Sequence, residues 1–166
     1  MNVFSPSYRG HYGERVERLA ASGALRYVVP LGRTLLALIF LIAAPGHFTA
    51  STIGYAAQQG VPLPELLVPL SGILAAVGAL SVLLGYHARI GGWLLVLFLV
   101  PVTLMMHAFW RIDDAAAAAT QQAMFLKNLA MFGAALLVAW FGAGPVSLDE
   151  RRALRAGEPG ASRKSR

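Results

Sequence analysis

Cysteine is absent from this chain, so no disulfide framework is available and no thiol of its own can carry electrons. Acidic residues are scarce: 8 Asp and Glu stand against 14 Lys and Arg, and charged residues of both signs make up only 13% of the sequence. Too little charge is present to clothe a water-facing surface, which excludes an ordinary soluble domain. Also missing are a His-Glu-x-x-His helix, a phosphate-cradling glycine loop and a Ser–His–Asp set at matching depth. Hydrolase and nucleotide chemistry of the usual kinds are therefore not expected. The net charge of +6 does not point to nucleic acid, because the basic residues are not gathered in one folded module with interleaved aromatics.

What the chain does contain is four long apolar runs, at 28–48, 66–84, 90–109 and 123–141. Each is close to the ~20 residues that cross a hydrocarbon core. The first is long enough to span, so it reads as a transmembrane helix rather than a cleaved signal peptide. Positive charge is sorted to one side of the runs. Arg9, Arg15, Arg18 and Arg26 precede the first, Arg89 lies between the second and third, and Arg151, Arg152, Arg155, Arg163, Lys164 and Arg166 follow the fourth. The other two links hold only Arg111, beside Asp113 and Asp114. The positive-inside rule then places both termini in the cytoplasm. The expected fold is an all-α membrane protein, a four-transmembrane-helix bundle in a bacterial inner membrane, with the lipid bilayer as its first partner. Its parts are a cytoplasmic arm with an interfacial helix (1–27), the bundle (28–145) and a basic cytoplasmic tail (146–166).

Local signals refine that plan. ERVERLAASGALRY, from Glu14 to Tyr27, separates apolar from charged side chains as a helix lying on the inner leaflet would. Pro45 and Gly46 end or unwind the first span. The first outer link is too apolar for a solvated loop and predicts a short helix over 51–59, stopped by Gly60. Pro64 suits the first turn of the second span. Small residues four apart at Ser71, Ala75 and Ala79 allow helices to approach closely in lipid. Pro101 should bend the outer half of the third span and free the carbonyl of Leu97. Asp113 or Asp114 caps the fourth span, and Ser147 to Glu150 has capping-box spacing for a short cytoplasmic helix.

Polar residues inside the spans are the candidate functional groups. Counting ~1.5 Å per residue puts His47 and His107 roughly 25 Å from the inner boundary of a ~30 Å core. Lys127 lies at roughly 21 Å on the same scale, with Asn128 beside it and Trp110 just above. Ionisable groups at such depth turn toward a bundle interior or a wet cavity. The bland readings are an interfacial position for each histidine, outward snorkelling for Lys127 and an aromatic-belt place for Trp110. Convergence of the five from three helices favours a shared pocket. Arg33, one turn inside the cytoplasmic end, either snorkels to phosphates or pairs with an acceptor between helices. Met105, Met106, His107 and Met124 have copper(I) ligand chemistry, but methionine packing accounts for them and no metal is assigned.

The run RTLLALIFLI from Arg33, followed by Gly46-His-Phe, resembles the first helix of DoxX-type membrane proteins. GVPLP from Gly60, LGYHARI from Leu84, MHAFW from Met106, FLKNL from Phe125 and GPVSLD from Gly144 are similar to later parts of that family, in order. The resemblance implies a four-helix inner-membrane protein associated with redox complexes, with Arg33, His47, His107, Trp110, Lys127 and Asn128 as its polar members. Where such proteins often carry a glutamate in helix two, this chain has Ala75. Three functions follow as expectations. One is a quinone-binding subunit of a redox system, its electrons supplied by a protein partner. Another is a non-catalytic accessory subunit anchoring a larger complex, or a homo-oligomer packed through small-residue faces. The third is a small permease, disfavoured because Arg33 is the lone polar group in the cytoplasmic half. The residues do not decide between an enzyme and a binding subunit.

Overall fold

The structure, a computed structural model, describes residues 23–157. The interfacial helix expected before residue 23 and the tail after 157 lie outside the described residues, apart from a 3-10 turn at Gly23–Tyr27. Helix α1 (Val28–Ala43) continues as a 3-10 segment, Ala44–Phe48. Then come α2 (Ala50–Gln58), α3 (Pro64–Leu84), α4 (Ala88–Met106), a 3-10 turn at Phe109–Arg111, α5 (Ala115–Phe141) and α6 (Leu148–Gly157). No strand occurs among the described residues. Four stretches are long and apolar enough to cross a membrane: Leu25–Phe48, Pro64–Leu84, Ala88–Arg111 and Ala115–Phe141. This is the expected four-helix membrane bundle.

The helices start and stop for local reasons. Thr49 caps α2 by accepting from the Thr52 amide at 3.3 Å. Asp114 caps α5 by accepting from the Ala117 amide at 2.7 Å, so that helix begins eight residues before the fourth apolar run. Pro64 occupies the first position of α3, where its missing N–H costs nothing. Pro45 and Gly46 turn the end of the first span into 3-10 geometry rather than terminating it outright.

The interior is made of small side chains. Ala37, Ala75, Ala79 and Ala135 are buried with Phe40, Val82, Leu95, Phe98 and Leu99. Large ones point outward: Leu66, Leu70, Ile73, Val77, Leu80 and Leu84 form one continuous exposed stripe of α3. In water such a stripe would drive aggregation; in lipid it meets acyl chains, and packing inside depends on close helix approach. Gly92 shows how close. A Cβ there would lie 2.6 Å from the backbone nitrogen of Ala139 and 3.0 Å from the carbonyl of Ala135. Helices α4 and α5 therefore touch backbone to backbone.

Packing runs α1 on α3, α3 on α4, and α4 on α5, whereas α1 and α5 barely meet. The bundle is thus an open arc with a seam between its first and last spans. We call the end that holds both described chain ends and the α3–α4 turn the base. The opposite end, where α2 and the segment Ala44–Phe48 lie against α3, is the head.

Candidate functional site

Arg33 leads to the base. Its side chain is 4% exposed although it emerges from a membrane-spanning helix. The guanidinium donates to the carbonyls of Ala143 and, at 3.0 Å, Val146, both in the link after α5. It is an acceptor pair between helices, of the two readings above, that engages it. The same link is fixed from other directions. Asp149 accepts from the amides of His87 (2.8 Å) and Ala88 (3.0 Å), capping α4 from a distant part of the chain. Its own amide donates to Gly85 O at 2.8 Å. The Glu150 amide donates to Ser147 Oγ at 3.0 Å, while the Glu150 carboxylate accepts from the Val146 amide at 2.7 Å. Arg152 lies over the Tyr86 ring at 4.7 Å and meets His87 Nε2 at 3.1 Å. Apart from Arg33 Nε, which is buried without a partner among the described residues, the polar groups named here are bonded to one another or to backbone, so this end is a clasp.

The head is arranged differently. His47 stands on the 3-10 segment, its ring 5.6 Å from that of Phe98 and its Nδ1 3.3 Å from the Ala43 carbonyl. Gly72 of α3 makes room for it, since a Cβ there would come within 2.6 Å of His47 Cβ. His107 caps the end of α4, where the chain leaves the helix, and its Nδ1 lies 2.7 Å from Gln121 Oε1 of α5. Both sit where regular α-helix gives way, as expected for His47 from Pro45 and Gly46.

His47, His107, Lys127 and Asn128 line one cavity of about 160 Å³, floored by Ala75, Phe98 and Leu99. It occupies the head end of the α1–α5 seam. Asn128 is 5% exposed, and its side chain lines the cavity wall. Lys127 borders the cavity from an exposed position. Trp110 is not brought in: it is 54% exposed and packs edge-to-face with Phe109 (5.1 Å) and Phe125 (5.8 Å). Gln121, which sequence reasoning missed, stands seven residues before Asn128 and so on the same face of α5. That spacing was the available signal. A second, larger cleft of about 600 Å³ lies between α3 and α4 beneath α2, lined mainly by apolar side chains including Leu70, Leu74, Leu97 and Pro101. His47, Val102 and His107 border both spaces.

The chemistry open to this head is hydrogen bonding in an apolar frame. Asn128 can donate and accept, Lys127 donates, and each imidazole keeps one ring nitrogen unused. The cavity wall carries no carboxylate. Among the described residues, no group of three or more His, Asp or Glu could hold a metal ion.

Fold and cavities together define a small four-helix membrane protein with a lateral recess near one end. The model of the SURF4 family matches residues 66–154, and the chain belongs to that family. Two relatives from Escherichia coli (strain K12) are each 30% identical. The one named inner membrane protein YphA matches over 132 residues, 78% of this chain and 94% of the relative. The one named inner membrane protein YqjF matches over 123 residues, 73% of this chain and 88% of the relative. No solved structure matches. These matches overturn the DoxX resemblance. The motifs that suggested it are short, and two of them, LGYHARI and GPVSLD, are the turn and link of the base clasp. Such residues report how a turn is tied, a need shared by unrelated small bundles.

Proposed function

We propose that this protein is a multi-pass inner-membrane protein with both ends of the chain in the cytoplasm, and that it binds a quinone-class ring entering sideways from the bilayer. The relatives' names support the membrane, and Arg26, Arg89, Arg151, Arg152 and Arg155 at the base support the orientation. The observation that carries the ligand reading is Asn128, 5% exposed and set in the wall of a cavity of about 160 Å³ whose floor is apolar. A polar side chain set in an apolar wall is a place for a ligand's oxygen. A cavity of about 150 Å³ holds one six-membered carbon ring. The ring fits; a prenyl tail does not, and leaves through the seam or toward the larger cleft. No residue here carries electrons, so any redox role draws them from a partner protein.

A second reading has its own observation. Helices α1 and α5 barely meet, and a helix of another subunit packed along that seam would make the chain an anchoring component. A permease is poorly supported, because the core below the cavity is apolar from Phe40 to Val82. Purification from native membrane with mass spectrometry of bound lipids and proteins separates these. Stoichiometric quinone that is lost in Asn128→Leu is the expected result. A constant protein partner and no quinone would replace this reading with the anchoring one.

A further inference from the structure

The two histidines carry information about which form of the ligand fits, an inference that rests on the quinone-class reading. His47 Nδ1 faces the Ala43 carbonyl, a group that can only accept. His107 Nδ1 faces Gln121 Oε1, also an acceptor. A neutral imidazole has one N–H, and in both residues an acceptor draws it to Nδ1. Each Nε2 is then a lone pair, and neither has a partner among the described residues. Both rings border the cavity.

We propose that the recess selects the reduced, dihydroxy form of the ring over the quinone. A hydroquinone presents two O–H donors to the two Nε2 acceptors, with Asn128 free to bond either way. A quinone presents two carbonyl oxygens, which would face lone pairs and leave Asn128 and Lys127 to do all the donating. Gln121 is on this argument a positioning residue: it never touches the ligand, but it decides which nitrogen of His107 does. The electron balance of any oxidation lies outside this step, which is binding alone.

The test uses the full chain in nanodiscs freed of native quinone, titrated anaerobically by calorimetry at pH 8, where a free imidazole is neutral. The probes are a decyl-tailed benzoquinone and the same compound reduced. The reduced probe is expected to bind roughly tenfold more tightly, the usual scale for one mismatched buried hydrogen bond. In Gln121→Leu the His107 proton is no longer held on Nδ1, and the ratio should fall toward one while the reduced form still binds. The nitrogen-15 spectrum of His107 gives a readout independent of folding yield, with the proton on Nδ1 in the parent protein. Equal or tighter binding of the quinone, or a proton on Nε2 of His107, overturns the selection and leaves the binding reading standing. No binding of either probe removes both.

Discussion

The base and the head of this bundle are built from the same four helices, yet they treat their polar side chains in different ways. At the base, Ser147, Asp149, Glu150 and the two terminal nitrogens of Arg33 are matched to backbone groups of the 143–150 link and the α3–α4 turn. At the head, Asn128, His47 and His107 line a cavity. A buried polar group that is paired holds a structure together; one that is left open costs stability and is kept for another reason. The contrast is one of surroundings: Arg33 is tied to carbonyls by two of its three nitrogens, whereas Asn128 stands in a cavity wall.

Substitutions can break the contrast or sharpen it. The largest effect is expected from Arg33→Leu, which strips the Ala143 and Val146 carbonyls of their donor; about 3 kcal/mol or more should be lost. A fall in the thermal midpoint of the detergent-solubilised protein measures it, and an unchanged midpoint would mean that the clasp is ornamental. Gly92→Ala comes next. Its Cβ meets backbone of α5 that cannot swing aside, at a cost of about 1–3 kcal/mol. Gly133→Ala, where nothing lies within 4 Å, is the matched control and should leave the midpoint alone. Asp149→Ala uncaps α4 and is expected to cost about 1 kcal/mol in the same assay. The smallest change in stability belongs to the head: Asn128→Leu should hold or slightly raise the midpoint while abolishing quinone retention. A loss as large as that of Arg33→Leu would show that Asn128 is part of the scaffold after all.

How much of this was legible beforehand depends on what each feature requires. Span number, the Asp114 cap, the change at Pro45 and Gly46 and the Ser147–Glu150 spacing are local, and a few adjacent residues suffice to announce them. Relative height along the helices was also readable to first order, because rise per residue is fixed. Rotation was not. Helices that are apolar on nearly every side have weak periodicity, so the face that turns inward is not marked. Trp110 shares the height of His107 but turns to Phe109 and Phe125, while Gln121, outside the apolar run, turns to His107. The open seam was invisible for the same reason: it depends on which helices fail to touch, which no single segment records. The family was misjudged because the resemblance rested on short motifs, whereas the SURF4 match spans residues 66–154.

Helix α1 is fastened at its foot by Arg33 and along one flank by α3, and its other flank, at the seam, has almost no protein neighbour. Mechanically it is a leaf pinned at the stem. Lateral pressure in the bilayer acts on that free flank directly, so the width of the mouth beside Asn128 is coupled to the lipids pressing on it. Membrane thickness and acyl-chain order, rather than any contact within the chain, would then set how readily the recess fills.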